Sequence, residues 1–300
     1  MNKEILYNKG IDTICLVVDT KYSEAEITKL RATYPVLATV NKVTITNDGR
    51  YKKIVFQPSN YIDRTKLLDN GDLFYQCIKE SLAILDGTVI SLDRIDIAMD
   101  SKEKLNNYKQ LARLTILCAA SRKNIRKAFT VKNLFDLKEK TVKLSSDRFV
   151  MTFYCREDKP LHEAEFRIEI RYQKLSQSDW ENEAKEMVGK TIELFTNLED
   201  HVKEVEDVLI PVLIDLYQEE IQEGILLNFS GFMDKYSDFF YTKRIFSEVY
   251  KLSELKGNEN NWLKKFRKNR PTALSFDSKH SVKQLSSEVR KNLKTYLKTF

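Results

Sequence analysis

Residues 89–100 read VISLDRIDIAMD, and the alternation inside that stretch decides the fold. Successive side chains of a strand point to opposite faces. One face then takes Leu92, Arg94, Asp96, Ala98 and Asp100, and the other Asp93, Ile95, Ile97 and Met99. Two later stretches repeat the pattern. RFVMTFYCR (148–156) sets Arg148, Val150, Thr152, Tyr154 and Arg156 against Phe149, Met151, Phe153 and Cys155. EAEFRIEIRY (163–172) sets Glu163, Glu165, Arg167, Glu169 and Arg171 against Ala164, Phe166, Ile168, Ile170 and Tyr172. Each strand has an apolar face suited to a layer of helices and a second face crowded with ionisable groups. Joined in one sheet, they bring Asp96, Asp100, Tyr154, Arg167 and Glu169 to one polar surface.

Working outward, the first 175 residues read as mixed α and β. ICLVV (14–18) is a short buried strand. Ser23 and Glu26 form a capping box that opens a helix ending before Pro35. LATVNKVTIT (37–46) and YKKIVFQP (51–58) flank Asn47-Asp48-Gly49-Arg50, a hairpin turn. Asp72 is the expected cap of a helix over 73–85, which Gly87 stops, and 107–121 is a further helix. After about residue 180 the spacing is helical throughout. Pro211 predicts a kink or a new start, 256–281 a loop or linker, and 282–300 an amphipathic closing helix. The predicted class is α+β: a central antiparallel sheet flanked by helices over 1–175, followed by an all-helical region over 176–300.

Composition narrows the function classes. The chain has 300 residues, 42% apolar and 31% charged, with only 8 Gly and 5 Pro. That supports a packed core and excludes collagen-like and Gly-rich phosphate-cradle designs. No apolar run reaches the roughly 20 residues of a bilayer span, so no membrane partner is expected. The start, MNKEILYNKGID, has no apolar core of a secretory leader. The 4 cysteines are scattered without CxxC, and the 3 histidines form no ligand-like cluster. A zinc site is not expected, and a reducing cytoplasm is. Charge is arranged in blocks: net +8 over 1–175, −12 over 176–240 and +10 over 241–300. Basic blocks of this kind fit a polyanion partner or the solvated faces of long helices.

The polar residues on the three strands fit one chemistry. Carboxylates on neighbouring strands are hard oxygen ligands for Mg²⁺ or Mn²⁺. A tyrosine beside such an ion and an arginine is an activated nucleophile for phosphorus, and arginines hold phosphate oxygens through paired hydrogen bonds. Attack on a DNA phosphodiester leaves a 5′-phosphotyrosine and a free 3′-hydroxyl. The competing reading is a polar sheet face laced by cross-strand ion pairs. For Asp100, helix capping competes with metal ligation.

Arg94-Ile-Asp96-Ile-Ala-Met-Asp100, then Tyr154-Cys-Arg156, then Arg167-Ile-Glu169 resemble the three motifs of the rolling-circle replication initiators of Gram-positive plasmids (the Rep_trans type). The same order occurs in the nicking-and-closing replication proteins of filamentous phages. The motifs cover roughly residues 85–175. The resemblance implies a divergent HUH-endonuclease-like nicking domain over 1–175, without the His-hydrophobic-His element. It implies that Tyr154 is the nicking nucleophile and that Asp96, Glu169 and Asp100 are metal ligands for Mg²⁺ or Mn²⁺. Arg94 and Arg167 would hold carboxylates or contact phosphate. Arg156 stands where the family has Lys, so a proton shuttle there would pass to Lys159 or water. The partners implied are double-stranded origin DNA with a single-stranded nick site and a host helicase.

In the C-terminal block, Lys264, Lys265, Arg267, Lys268 and Arg270 interleave with Trp262 and Phe266, a composition suited to DNA contact. A mobilisation relaxase shares the tyrosine chemistry. The same residues also fit a non-catalytic sequence-specific DNA-binding protein, or a hydrolytic nuclease using Asp96, Asp100 and Glu169. The stripe Val282, Leu285, Val289, Leu293 and Leu297 fits either a homodimer contact or the chain's own core.

Overall fold

The polar and apolar alternation of the sequence is realised in a seven-stranded sheet. Its strands are β1 (Leu6–Asp19), β2 (Val40–Ile45), β3 (Lys52–Phe56), β4 (Thr88–Ser101), β5 (Thr141–Ser145), β6 (Phe149–Cys155) and β7 (Phe166–Gln173). They lie in the order β2-β3-β1-β4-β7-β6-β5. The pairings β2–β3, β3–β1, β1–β4, β4–β7 and β7–β6 are all antiparallel. The computed structural model describes residues 6–62, 70–101, 141–145, 147–155, 166–224, 229–236, 240, 243–252, 259–269 and 278–299. The helix expected at 107–121 and the residues Arg156, Lys159, Glu163, Glu165 and Arg270 lie outside them.

One face of the sheet is apolar. Ile11, Ile14, Leu16, Ile95, Ile97, Met99, Ile168, Ile170, Met151 and Phe153 are all but sealed from solvent. Helix α1 (Glu24–Leu30) begins with the expected capping box, Ser23 and Glu26 each accepting from the other's backbone N–H. Helix α2 (Gly71–Ile84) buries Phe74, Cys77, Ile78 and Leu82. Its cap is Asn70, whose Oδ1 accepts from the Leu73 N–H at 3.1 Å, rather than the expected Asp72. Asp72 lies one position inside the helix and accepts from Thr299 Oγ1 at 2.6 Å. Helix α3 (Trp180–Thr196) is capped by Asp179 through the Asn182 N–H at 3.1 Å. Its Thr191 meets the Tyr172 hydroxyl of β7 at 3.1 Å, and Trp180 stacks on Tyr75 of α2 with centroids 6.0 Å apart.

The register of β1 against β4 shifts at four places, and two of these bulges re-aim residues of the polar face. Cys15 pairs with Arg94 and Leu16 with Leu92, so β4 has one extra residue, Asp93. The sequence pattern puts Leu92 on the polar face and Asp93 on the apolar one. Instead Leu92 is fully buried, and Asp93 accepts from Lys53 Nζ at 2.6 Å. On β1, Ile11 pairs with Ile97 and Thr13 with Asp96, leaving Asp12 as the extra residue. A bulge sets two residues against one and re-aims the side chains around it.

The later helices are α4 (Leu198–Gln222), α5 (Phe229–Lys235), α6 (Lys243–Leu252), α7 (Glu259–Asn269), α8 (Ser278–Leu293) and α9 (Tyr296–Thr299). Pro211 lies inside α4 and does not start a new helix. The linker expected at 256–281 contains α7, because Trp262, Leu263 and Phe266 recur at helical spacing and Leu263 is buried. Of the stripe, Leu285, Val289 and Leu293 are fully buried within the chain and serve its own core. No described helix is long and apolar enough to cross a membrane.

The chain divides into two compact units, and not at residue 175. Among the described residues, the first takes those up to Ser101, those from 143 to Phe195, and those from Ser287 onward. The second takes those from Thr196 to Ser286. Its core is aromatic: Phe229 packs edge-on against Tyr217, Phe246, Tyr250 and Trp262 at 5.7–6.2 Å between centroids.

The chain's end closes against α2 through a glycine. A Cβ on Gly71 would meet Thr299 Oγ1 at 2.9 Å and the Tyr296 backbone at 3.2 Å. Gly71→Ala is therefore expected to cost about 1–3 kcal/mol despite alanine's better helix propensity. Urea midpoints measure this, and an unchanged or raised midpoint would show that the terminal segment yields freely.

Candidate active site

The second face of the sheet gathers charge from four strands. In the register, Asp96 sits opposite Arg171, Ala98 opposite Glu169 and Asp100 opposite Arg167. Across β7, Thr152 faces Glu169 and Tyr154 faces Arg167. Tyr154 and Glu169 are thus diagonal neighbours, within reach of a long side chain. Ala98 contributes no side chain beyond Cβ between the two aspartates, which leaves room beside Glu169.

The deepest pair is Arg167 and Asp100. Nε donates to Oδ1 at 2.7 Å and Nη2 to Oδ2 at 3.0 Å, with the two side chains 3% and 2% exposed. Asp12, brought in by the β1 bulge, lies 3.8 Å from Arg167 Nη1. Asp100 is thus held by arginine within a strand. Of the two roles the resemblance implies for Arg167, holding a carboxylate or contacting phosphate, the structure shows the first.

The second pair repeats the geometry nearer the solvent. Arg171 Nε donates to Asp96 Oδ1 at 2.9 Å and Nη2 to Oδ2 at 3.0 Å. The same Nη2 reaches Glu169 Oε1 at 3.1 Å. Glu169 Oε2 accepts from the Tyr154 hydroxyl at 3.1 Å. The chain of contacts therefore runs Asp96–Arg171–Glu169–Tyr154. Asp96 is the buried end, its side chain 4% exposed, while Arg171 and Glu169 are 35% and 21% exposed. Arg94 Nε lies 3.3 Å from Asp96 Oδ1 as an ion pair without making a hydrogen bond.

Burial sets the electrostatics. Loss of solvent raises the Asp96 carboxyl above its ordinary value, against the pull of Arg171 and Arg94 and with that of Glu169. Tyr172, the other tyrosine nearby, lies on the apolar face. Burial pushes its hydroxyl up to about 12, so it is no competing nucleophile. Cys15 is likewise pushed to about 12 and is inert.

The three carboxylates expected to hold a metal are placed on one face, as the alternation requires, but they are engaged. Both oxygens of Asp96 and of Asp100 are taken by guanidinium groups, and Glu169 is shared between Arg171 and Tyr154. Among the described residues no group of three His, Cys, Asp or Glu is disposed to hold a metal ion. In this arrangement the donor set fits arginine, not a divalent cation. Arg171 and Asp12 join the site although the motifs assign them no role. Arg171 is visible in the sequence as a member of the polar face, whereas nothing in the pattern marks Asp12, because only the bulge turns it toward Arg167.

The expected DNA contacts are divided in the same way. Lys264 and Lys268 are exposed on α7, but Trp262 packs on Phe229 and is half-buried, so it serves the aromatic core. The side chains of Lys265 and Arg267 lie outside the described residues, as does Arg270. Compared with known proteins, the chain matches no family model and no curated protein.

Removing one partner of a buried ion pair leaves a bare charge, which costs about 3–5 kcal/mol. Arg167→Met is expected to lose that much in urea unfolding, and Arg167→Met with Asp100→Leu to lose less than the single change. A single-variant loss under about 1 kcal/mol would contradict the pair's burial. Asp96 adds a pH signature. A carboxyl raised by folding contributes stability that is complete below its unfolded value, about 3.9, and disappears as pH rises through the folded one. The stability of the protein relative to Asp96→Asn is therefore expected to fall as pH is raised from about 4. The fall amounts to about 1.4 kcal/mol for each tenfold by which folding tightens the proton's hold on Asp96. A flat difference would mean that Asp96 keeps its ordinary affinity for the proton.

Proposed function

We propose that the protein is a DNA strand-transfer enzyme that nicks one strand through Tyr154, in the manner of a rolling-circle replication initiator with a divergent HUH-like sheet. The observation that carries this is the 3.1 Å hydrogen bond from the Tyr154 hydroxyl to Glu169 Oε2, with Glu169 itself held by Arg171 and Arg171 by Asp96. A nucleophile, a base within reach and a group that orients the base are the parts an attack requires.

The step balances as follows. Tyr154 Oη gives its proton to Glu169 and forms a bond to phosphorus. The bond from phosphorus to the 3′-oxygen breaks, and that oxygen takes a proton from water to become a 3′-hydroxyl. The 5′ end stays on the tyrosine as a phosphodiester, so the ester survives for rejoining. Arg171 and Arg94, 35% and 28% exposed, supply positive charge beside the phosphoryl oxygens. Arg167, Asp100 and Asp12 hold the sheet face from beneath. No step is routed through Mg²⁺ or Mn²⁺. The exposed Lys264 and Lys268 of α7 serve as DNA contacts in this reading.

The completeness of the Arg–Asp pairing favours one alternative, a sequence-specific DNA-binding protein that does no chemistry. The two separate on one experiment. Full-length protein is mixed with a 5′- or 3′-labelled single-stranded origin oligonucleotide, with chelator, Mg²⁺ or Mn²⁺ in parallel, and resolved on denaturing gels. A covalent protein–DNA band is expected, abolished by Tyr154→Phe while binding persists, and reduced by about 10²-fold or more in Glu169→Gln if that carboxylate is the base. No band under any condition leaves the binding protein. Nicking without a band leaves a hydrolytic nuclease. A band that survives Tyr154→Phe moves the nucleophile elsewhere.

A further inference from the structure

The C-terminal end of the chain carries a second charged feature, separate from the tyrosine site. Helices α8 and α9 bury Leu285, Val289, Leu293 and Tyr296 on one side. On the other, Ser287, Arg290, Lys291, Lys294, Thr295 and Lys298 line an open groove of about 510 Å³. The spacing of three and four puts them in one stripe. All six are exposed. Four are cations, two are hydroxyl residues, and none is acidic or apolar.

Several cations elsewhere in the described chain are paired. Lys53, Lys79, Arg167, Arg171, Lys235, Arg244 and Lys251 each sit against a carboxylate. Lys291, Lys294 and Lys298 take part in no salt bridge among the described residues. Their scaffold is nevertheless fixed. Tyr296 packs edge-on against Phe74 at 6.3 Å, and Thr299 donates to Asp72 at 2.6 Å. Lys291, Lys294 and Lys298 are like charges in one stripe and repel one another, a cost that a bound polyanion removes.

We infer that this groove binds the sugar-phosphate backbone of duplex DNA. Lysine, arginine, serine and threonine are the side chains that contact phosphate oxygens without reading sequence. A single-strand site needs aromatic platforms for the bases, and a lipid surface needs an apolar face to insert. The groove lining has neither. From Arg290 to Lys298 the stripe runs about 12 Å at 1.5 Å per residue, about three to four base-pair steps at 3.4 Å each. That the ligand is a phosphate backbone rests on the groove alone, and that the nucleic acid is DNA rests on the strand-transfer reading. The groove thus takes a share of the duplex contact that sequence composition alone assigns to residues 262–270.

Fluorescence anisotropy with the full-length chain tests this, using a labelled 20-base-pair duplex between about 50 and 200 mM salt. Replacing Arg290, Lys291, Lys294 and Lys298 by Gln together is expected to flatten the slope of log affinity against log salt by roughly 3–4, about 0.9 per phosphate contact. Lys294→Gln and Lys298→Gln singly are each expected to flatten it by about 0.9, which keeps the test intact if the fourfold variant folds poorly. A slope unchanged in all three variants overturns the proposal. So does equal or tighter binding of the unaltered protein to polyglutamate or to vesicles of phosphatidylserine and phosphatidylcholine. The two proposals fail separately. A flattened slope with no covalent band in the unaltered protein removes strand transfer and keeps the groove. A covalent band with unchanged slopes does the reverse.

Discussion

The bidentate pairing of Arg167 with Asp100, buried between two neighbouring strands, is the constraint on which the polar face depends. A lone buried carboxylate or guanidinium costs several kcal/mol, and a matched pair offsets that cost only when both hydrogen bonds form in line. The distances of 2.7 and 3.0 Å meet that condition. They also fix the register of β4 against β7, because a slip of one residue would set Arg167 against an apolar side chain and strand Asp100. Arg171 with Asp96, two pairs along the same strands, enforces the same register a second time.

Much of this is present in the order of residues. The alternation in FRIEIRY and FVMTFY predicts which side chains share a face, and β6 and β7 obey it at their described side chains. The Asp-Gly turn and the Ser23–Glu26 capping box also form as expected, because each is a local arrangement settled within a few residues. What is not legible depends on partners far away in the chain. Leu92 and Asp93 exchange faces because β4 bulges against β1, and a bulge is a property of two strands in register. Asp12 joins Arg167 for the same reason. The division into units also departs from the change in composition near residue 175. Chain composition does not record that residues from Ser287 onward group with the sheet.

The metal expectation shows where residue type and geometry part company. Three carboxylates on one face are what a divalent cation needs, and they are also what three arginines need. Composition alone favours neither: Asp96, Asp100 and Glu169 are matched in number by Arg94, Arg167 and Arg171. Geometry separates them, since a guanidinium satisfies both oxygens of one carboxylate along fixed directions, whereas an ion must draw several carboxylates to one point. Asp96 and Asp100 each face an arginine directly across the ladder, which favours the first arrangement.

One buried end of the network gives the tyrosine its position. Asp96 is sealed, Arg171 is held by Asp96 and emerges into solvent, and Glu169 is held by Arg171 beside the hydroxyl. The network is thus anchored at its buried end, so Glu169 and Tyr154 are held from the interior and not by flexible surface chains. In the proposed attack, a carboxylate positioned this way costs little reorganisation when charge moves onto it, which is the condition under which fixed dipoles and charges lower a barrier. Arg167 and Asp100 set the strand spacing and register from which Glu169 and Tyr154 project. The β7 arginines therefore divide by depth along a single strand, Arg167 holding the sheet and Arg171 holding Glu169.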